Sequence, residues 1–596
     1  MLDSKTFKEE ASTLTKWLIS IPSITGTKGE EDAPKAVYEA LSSFGYFRNH
    51  LGNLHYIPHT DQKLHSVIAL VKIDNITRDT LVVLCNSDTS GNDAYGKLKP
   101  YAFKSDELKE QLRRNSKNFD HSDALDYSNT ICGLGVFESK AITGTLLTFL
   151  KYVTERLYEL PFNLLFVCTS NSICGNEGIR QCLPYLHDII IDNGLDIRLA
   201  VSFAADENNT DSNNLTLYTS NMGKVDTCFY ILGKGSHSKA LYSGFSPTLI
   251  AARITEKMEL NPKFASSLSE QPLVPEFKSI HCKNTRSPNS PDSVQLCFEL
   301  PFVNISLSDL LELLKSYAAH AIEEIALELE DRQYHYMTSH DLPFVPESRD
   351  AEVIAYSDLF YRASRHYRGD LRAAIENLLQ KCKSEEYSPN QTIRAVIEKL
   401  NELARLPKPS VIVYLGNNFV PQQQIHKAIA EDRDIYIKLN AAVEQFNKKH
   451  VMQIKFGENF TPSDSCFIRP VGMDLALKTL KKECPLPLNI FYNLGAPAVT
   501  LCIKGGNLYE PTEHISTESF ELISDFLEAI YNVFKPQESF KGALVETDQS
   551  TPGDRTAKAP GKKSRESTPG TANKAPDPAK AKESSKSSKS SKSSAK

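Results

Sequence analysis

The stretch LVVLCNSDTSG, residues 81–91, is an apolar run that ends in polar residues. The apolar part is typical of a buried strand, and the alternation of side chains along a strand places Asn86 and Asp88 on one face. Two later stretches, ICGLGVFESKAI (131–142) and LLFVCTSNSICGNEGIR (164–180), repeat this pattern. Ligands of open α/β sheets bind at strand ends of this kind. The stretches therefore predict an α/β fold whose site lies at these strand ends.

Helical and strand-like patterns alternate from this stretch outward. The first 215 residues predict helices at 5–19, 31–44, 140–157 and 176–189, and strands at 66–73, 80–86, 163–169 and 197–203. Such alternation indicates a βαβ sheet covered on both faces. Further strands are predicted at 224–235, 295–303, 410–416, 451–456 and 498–504. Further helices are predicted at 246–260, 306–331, 423–448 and 516–534, with two or three more within 350–405.

A chain of 596 residues is too long for one ordinary core. We expect an α/β domain made of residues 1–216 and 423–540. Residues 217–422 are expected to form an inserted lid domain of α+β character, enlarged by helices. Residues 541–596 contain an imperfect repeat, STPGDRTAKAP and STPGTANKAP, and few apolar residues. Such a composition cannot offset the entropy of ordering, so this tail is expected to be disordered.

Charge is distributed unevenly between the body and this tail. From Ser550 to Lys596 there are twelve Lys/Arg and four Asp/Glu, a surplus of +8. Subtracting this surplus from the net charge of −6 leaves −14 for the rest of the chain. The basic tail is suited to an anionic partner. Its lack of aromatic residues argues against sequence-specific recognition of nucleic acids, and Thr551 and Thr568, each before a proline, suit phosphorylation.

The remaining composition indicates a reducing compartment. The 12 cysteines are scattered without a C-x-x-C pair, which is typical of reduced thiols. No charged-then-apolar leader is seen at the N-terminus, and no apolar run approaches the roughly 20 residues of a membrane span. We therefore expect a cytoplasmic protein without a transmembrane segment.

Three further stretches carry a resemblance to a known family: WLISIPSITGTKGEE (17–31), GKGSHSKALYSGFSP (233–247) and GAPAVTLCIKGGNLYEPTEHI (495–515). Together with the strand ends, the chain resembles the two-zinc metallohydrolases of the aminoacylase, carboxypeptidase G and succinyl-diaminopimelate desuccinylase type. Within them it is most similar to the arginine-utilisation (RocB-type) branch, over roughly residues 5–535. The resemblance implies a phosphorylase/hydrolase-like zinc-exopeptidase α/β domain with an inserted lid, which in this family often forms a homodimer.

The resemblance also assigns site positions. In the family two metal ions lower the pKa of a bound water, and a glutamate acts as general base. The general-base position is Ser172 here, whereas Asp88 and Lys140 are retained. The positions that match the family's metal ligands are Asn86, Glu138, Ile173, Asp206 and Tyr509.

Three of these five ligand positions hold residues poorly suited to zinc. Each ligand of a zinc site is worth on the order of 3 kcal/mol, so the loss of three should abolish occupancy at trace zinc. Loss of the base removes a further ~10²–10⁴ in rate. We expect no cofactor, with zinc bound only if the site is functional, and we expect no hydrolysis.

Alternatives at the site remain open. Asp88, Asp206 and Glu138 could hold Mg²⁺ or Ca²⁺ through oxygen ligands, or Asp88 and Asp206 cap helices or pair with Lys140. A thiolate site could form from the three cysteines near the strand ends, although buried apolar thiols are the commoner outcome. These cysteines are Cys85, Cys132 and Cys174.

Two further side chains have a functional and an ordinary interpretation. His237 matches the lid histidine that reaches a neighbouring subunit's site in the family, where it polarises the substrate carbonyl. Here it is either a ligand-binding residue or an ordinary surface histidine. Ser172 with His514 resembles a serine nucleophile and its base, but the sequence indicates neither an oxyanion hole nor an orienting acid.

Three functions follow from the sequence. The first is a non-catalytic family member that serves as a scaffold or binds a small peptide-like or amino-acid-like ligand. The second is an active amide or peptide hydrolase with a rearranged site. The third is an adaptor that acts through its basic tail.

Overall fold

The apolar runs form strands and the amphipathic stretches form helices. The computed structural model describes residues 4–60, 63–73, 77–114, 128–157, 160–173, 175–205, 214–235, 242, 244–264, 273–283, 291–407, 409–486 and 492–534. The strands are, in chain order, β1 (Leu54–Pro58), β2 (His65–Val71), β3 (Asp79–Asn86), β4 (Thr130–Cys132), β5 (Asn163–Thr169), β6 (Asp196–Ala205), β7 (Asn214–Tyr218), β8 (Ser220–Asn221), β9 (Gly223–Leu232), β10 (Glu276–Lys283), β11 (Ser293–Phe302), β12 (Glu352–Ala355), β13 (Ser410–Val420), β14 (Gln423–Gln424), β15 (Gln453–Gly457), β16 (Ala498–Ile503), β17 (Gly505–Gly506) and β18 (His514–Ser516). The α-helices are α1 (Ser4–Ile19), α2 (Gly29–Ser42), α3 (Gly45–Asn49), α4 (Ser105–Arg114), α5 (Ala141–Glu155), α6 (Glu177–Asn193), α7 (Pro247–Met258), α8 (Leu307–Ser339), α9 (Tyr356–His366), α10 (Leu371–Ser384), α11 (Pro389–Ala404), α12 (Ala430–Lys449), α13 (Met473–Glu483) and α14 (Glu518–Phe534).

The larger sheet has eight strands in the order β1-β2-β5-β3-β6-β16-β7-β15. Strand β3 lies between β5 and β6 and is parallel to both. Strand β16 is in turn parallel to β6. The carboxyl ends of these four parallel strands therefore lie on one edge of the sheet.

Both faces of this sheet are covered, as the alternation predicted. Leu81 and Val83 of β3 pack in a core cluster that contains residues of α1, α5 and α14. Val82 and Leu84 pack on the opposite face, in a cluster that contains residues of α6. Alternating burial of this kind is what a near-continuous apolar run produces in a parallel strand.

A second sheet has five strands in the order β10-β11-β9-β13-β12. Its strands pair antiparallel, except that β12 is parallel to β13. One face packs on α7 and α8, and Leu480 of α13 joins that core. The other face packs on residues of α9, α10 and α11. The mixed α/β fold is thus confirmed, whereas the domain boundaries at 216/217 and 422/423 stay a prediction.

Several elements differ from the sequence expectation. The helix predicted at 423–448 begins at Ala430, because Gln423 and Gln424 pair with Asn221 and Ser220 as short strands. The backbone N–H of His426 then donates to the Asp432 carboxylate at 2.6 Å, which holds the chain out of a helix. Strands β1, β4, β7, β8, β10, β12, β14, β17 and β18 and helices α3, α4 and α13 were not predicted.

The chain divides into two compact units, Met1–Pro536 and Gln537–Lys596. The second unit, which includes the predicted disordered tail, lies outside the described residues. Among the helices of the described ranges, none has the length and apolar character that crossing a membrane requires.

Candidate functional site

A cavity of about 220 Å³ lies at the carboxyl edge of the larger sheet. It is lined by the ends of β3 and β6, by Thr500 of β16 and by residues of the segment that follows β5. The structure brings together five of the predicted site positions in the cavity wall: Asn86, Glu138, Ser172, Ile173 and Tyr509. The strand-end prediction of the site is therefore consistent with the geometry.

Asp88 lies fully buried beside this cavity. Its Oδ2 accepts hydrogen bonds from Thr25 Oγ1 at 3.1 Å and from the backbone N–H of Ile173 at 3.1 Å. Its Oδ1 accepts from Asn86 Nδ2 at 3.2 Å. Asn86, which stands where the family has a histidine, thus donates a hydrogen bond to Asp88. Both carboxylate oxygens of Asp88 accept hydrogen bonds from the protein.

Lys140 is buried near this aspartate but does not donate to it. Its Nζ donates to Ser23 Oγ and, at 2.5 Å, to the carbonyl oxygen of Ser87. Burial lowers the pKa of Lys140 to about 8. Lys140 therefore does not hydrogen-bond to Asp88, although the negative charge of Asp88 acts to raise the pKa of Lys140 against the effect of burial.

Glu138 lies in a π-helical turn, Val136–Lys140, that precedes α5. Its Oε2 accepts from Thr89 Oγ1 and from the backbone N–H of Ser90, both at 3.0 Å. Burial raises the pKa of Glu138 to about 7, and the nearby Asp88 adds to this rise. The carboxyl group therefore changes its charge near neutral pH.

A second buried glutamate, Glu513, fixes the turn that carries Glu138. Its carboxylate accepts backbone N–H bonds from Gly135 at 3.0 Å, Phe137 at 2.8 Å and Glu138 at 3.3 Å. Gly135 has φ +76°, and an added Cβ would lie 2.5 Å from Thr89 Oγ1, so the turn requires glycine there. Burial, followed by the charge of Glu138, raises the pKa of Glu513 to about 8.

Asp464 is a site residue that the sequence reasoning missed. It lies partly buried in the cavity wall and accepts from Thr169 Oγ1 at 2.6 Å, Ser172 Oγ at 2.8 Å and Asn176 Nδ2 at 2.8 Å. Burial raises the pKa of Asp464. The residue lies in the loop TPSDSC between β15 and α13, remote in sequence from its partners, and the only sequence signal was this short polar stretch before a helical turn.

Two further ligand positions that the structure describes, Ile173 and Tyr509, offer no metal-binding atom comparable to those of the family. Ile173 presents a hydrocarbon side chain that is 39% exposed. Tyr509 is 46% exposed and has φ +68°, and it presents a phenol in place of the imidazole. Zinc is bound by thiolate, imidazole and carboxylate groups.

The described residues do not fit a zinc pair. Within the ranges that the structure covers, no group of three or more His, Cys, Asp or Glu side chains is placed to hold a metal ion. Both oxygens of Asp88 accept protein hydrogen bonds, and Asp206 lies outside the described residues, so the Mg²⁺ or Ca²⁺ alternative stays a prediction.

The structure also locates the other candidate residues. Cys85 packs with Cys168 in the core between β3 and β5, and Cys132 lies in β4 with a pKa raised to about 11 by burial. A thiolate site is therefore not formed by the two described cysteines. The remaining candidates, Cys174, Asp206 and His237, lie outside the described residues.

Ser172 and His514 do not form a nucleophile–base pair. Ser172 Oγ donates to Asp464, whereas Nδ1 of His514 lies 3.0 Å from the carbonyl oxygen of Thr512. Burial lowers the pKa of His514. The hydroxyl of Ser172 therefore helps to hold Asp464 in the cavity wall.

Comparisons with known proteins give sequence relatives over most of the chain. Protein RocB of Bacillus subtilis strain 168 is 23% identical over 523 residues, which cover 85% of this chain and 91% of RocB. YqjN of the same organism is 25% identical over 374 residues, covering 60% of this chain and 65% of YqjN. No family model matches the sequence.

Solved structures of similar organisation are more distant in sequence. YxeP of Bacillus subtilis, described as a dinuclear metal binding peptidase of the M20 family, aligns with a TM-score of 0.46 and 11% identity over 89% of this chain and 99% of YxeP. Aminopeptidase PepT of Bacillus cereus aligns with a TM-score of 0.47 and 12% identity over 88% of this chain and 98% of PepT.

The resemblance read from the strand ends and the later motifs is confirmed. The chain is similar to RocB over most of the length of both proteins, which agrees with the resemblance to the RocB-type branch.

Proposed function

We propose that the chain is a non-catalytic member of the M20-type peptidases that binds a small peptide-like or amino-acid-like ligand at the inherited strand-end cavity. The observation that carries this proposal is the hydrogen bonding of Asp88. Its carboxylate accepts from Thr25, Asn86 and the backbone of Ile173. Two of these donors belong to residues at former ligand positions, so the retained acid is satisfied without a metal.

Loss of the general base supports the same proposal. Ser172 occupies that position, and its hydroxyl donates to Asp464 at 2.8 Å. A hydroxyl that donates to a buried carboxyl group cannot take a proton from water as a carboxylate base does. Size supports a small ligand, because a cavity of about 220 Å³ lies below the ~300–1,000 Å³ that is usual for drug-sized ligands.

Metal analysis of the purified full chain tests this proposal, together with a broad assay on acyl-amino acids and dipeptides. We expect less than a stoichiometric amount of zinc and no metal-dependent hydrolysis. Two equivalents of zinc with hydrolysis that a chelator abolishes would contradict the proposal and favour the rearranged hydrolase. A restoring variant with Asn86→His, Ile173→Glu and Tyr509→His serves as the matched comparison, and we expect it to gain zinc.

The proposal also includes an oligomeric state and a cellular location for the chain. A homodimer through the lid and a cytoplasmic location rest on the family resemblance and on the unpaired cysteine pattern. Sedimentation of the full chain measures the first, and fractionation of cells measures the second.

A further inference from the structure

The cavity wall carries an imbalance of charge. Two carboxyl groups, those of Glu138 and Asp464, line it, and Asp88 is buried directly behind Asn86. Among the described lining residues there is no lysine, arginine or histidine. The nearby cation, Lys140, is buried and donates to Ser23 and Ser87, outside the lining.

One carboxylate oxygen remains available to a ligand. Thr89 and Ser90 both donate to Oε2 of Glu138. Its Oε1 has no hydrogen-bond partner within the part of the chain that the structure describes, although the side chain lines the cavity. Asp464 differs, because Thr169, Ser172 and Asn176 engage both of its oxygens. The geometry therefore provides one fixed acceptor, oriented by two donors, in an acidic cavity.

The rest of the wall combines small polar side chains with apolar and aromatic ones. Phe203, Phe460 and Leu508 contribute to it, and Ile173 and Tyr509 lie at more exposed positions. An aromatic wall beside a carboxylate suits an organic cation, because the ring face attracts positive charge and an alkyl stem packs on hydrocarbon.

We propose that the cavity binds the ammonium or guanidinium group of a small organic cation, with Glu138 Oε1 as its acceptor and the aromatic wall around its alkyl stem. This inference rests on the proposed function, since it takes the cavity to be free of zinc. It excludes small carboxylate anions, because no cationic side chain among the described lining residues could pair with them.

Calorimetry of the full chain with three matched probes tests the inference: n-butylguanidinium, n-butanol and n-butyrate. We expect saturable binding of the cation and none of the neutral or anionic probe. Glu138→Gln should weaken binding about tenfold or more, because a hydrogen bond to a charged group is lost. The exposed Glu510→Gln, adjacent to Tyr509 but outside the lining, is the matched control and should bind as the unmodified chain does.

A second pair of variants keeps the test decisive if Glu138→Gln does not fold. Ile173→Lys places a positive charge at the exposed part of the wall and should abolish binding, whereas Ile173→Met should retain it. Equal binding of all three probes, or equal affinity in Ile173→Lys and Ile173→Met, would overturn the inference. A zinc-free, inactive chain that does not bind n-butylguanidinium would overturn it while leaving the non-catalytic proposal intact.

Discussion

At the scale of single residues, Asp464 concentrates the polar contacts of the cavity wall. Its replacement by alanine removes the acceptor for Thr169, Ser172 and Asn176 together. Buried donors left without a partner cost about 1–3 kcal/mol each, so we expect Asp464→Ala to lower the free energy of unfolding by roughly 3 kcal/mol. Urea denaturation measures this loss. The exposed Asp474→Ala in α13 is the control, and an equal effect of both variants would contradict the role of Asp464.

A pH dependence follows from Glu513. Burial raises the pKa of this carboxyl group from its ordinary 4.5 to about 8. Between these values the folded state binds more protons than the unfolded state, so this group makes stability fall as pH rises. We expect Glu513→Gln to remove this contribution to the pH dependence. The contribution lowers the free energy of unfolding by at most about 1.4 kcal/mol per pH unit. Urea midpoints from pH 5 to pH 9 measure it.

The matched control for that experiment is Glu510→Gln, since Glu510 is exposed and close in sequence. Its stability curve should parallel that of the unmodified chain. Parallel curves for Glu513→Gln as well would show that Glu513 ionises in the folded state as it does in the unfolded state.

At the scale of elements, Arg180 joins α6 to the second sheet. Its guanidinium donates to the carbonyl oxygens of Phe419 at 2.8 Å and Asn417 at 3.4 Å, and it lies 5.5 Å from the ring centroid of Phe467. These carbonyls belong to an irregular part of β13, where the pairing with β9 shifts between Leu415 and Phe419. The loop after β5, which carries Ser172, is thereby fixed against the second sheet.

We expect Arg180→Met to weaken this junction. Loss of a buried charged donor should lower the free energy of unfolding by about 2–3 kcal/mol and speed amide hydrogen exchange near Asn417–Val420. The surface Arg198→Met is the control, because Arg198 is about half exposed and forms ion pairs with Asp79 and Asp196 that are worth at most ~1 kcal/mol. Unchanged exchange in Arg180→Met would show that the irregular strand is held by its own pairing.

The sequence predicted the elements whose burial is periodic and missed those defined by tertiary contacts. The central strand over 80–86 was found because its apolar run is buried on both faces, and it forms β3. Strand β10 was missed because it is an edge strand with mostly exposed side chains. Asp464 was missed for a related reason: its partners lie nearly 300 residues away, and no local pattern reports such a contact.

At the scale of the whole molecule, the core and the tail make separable contributions. The buried core residues of the described ranges end at Ile530, within the unit Met1–Pro536. We expect a chain ended at Gln549 to keep the urea midpoint of the full chain, because surface and tail changes rarely alter stability by more than about 0.5 kcal/mol. The same truncation changes the net charge from −6 to −14, so the shorter chain should elute later from an anion exchanger.

This truncation also separates the adaptor hypothesis from the cavity proposals. If the tail supplies the contact, an anionic partner recovered with the full chain should be lost both on truncation and in a full-length variant whose twelve tail Lys/Arg residues are replaced by Gln. Recovery should also fall with salt, because exposed charges are screened within about 10 Å at 0.1 M. Binding of n-butylguanidinium should survive both changes, since the cavity lies wholly within the unit Met1–Pro536. If the partners are still recovered without the basic tail, the tail is excluded as the binding segment. The strand-end cavity then remains as the candidate functional site.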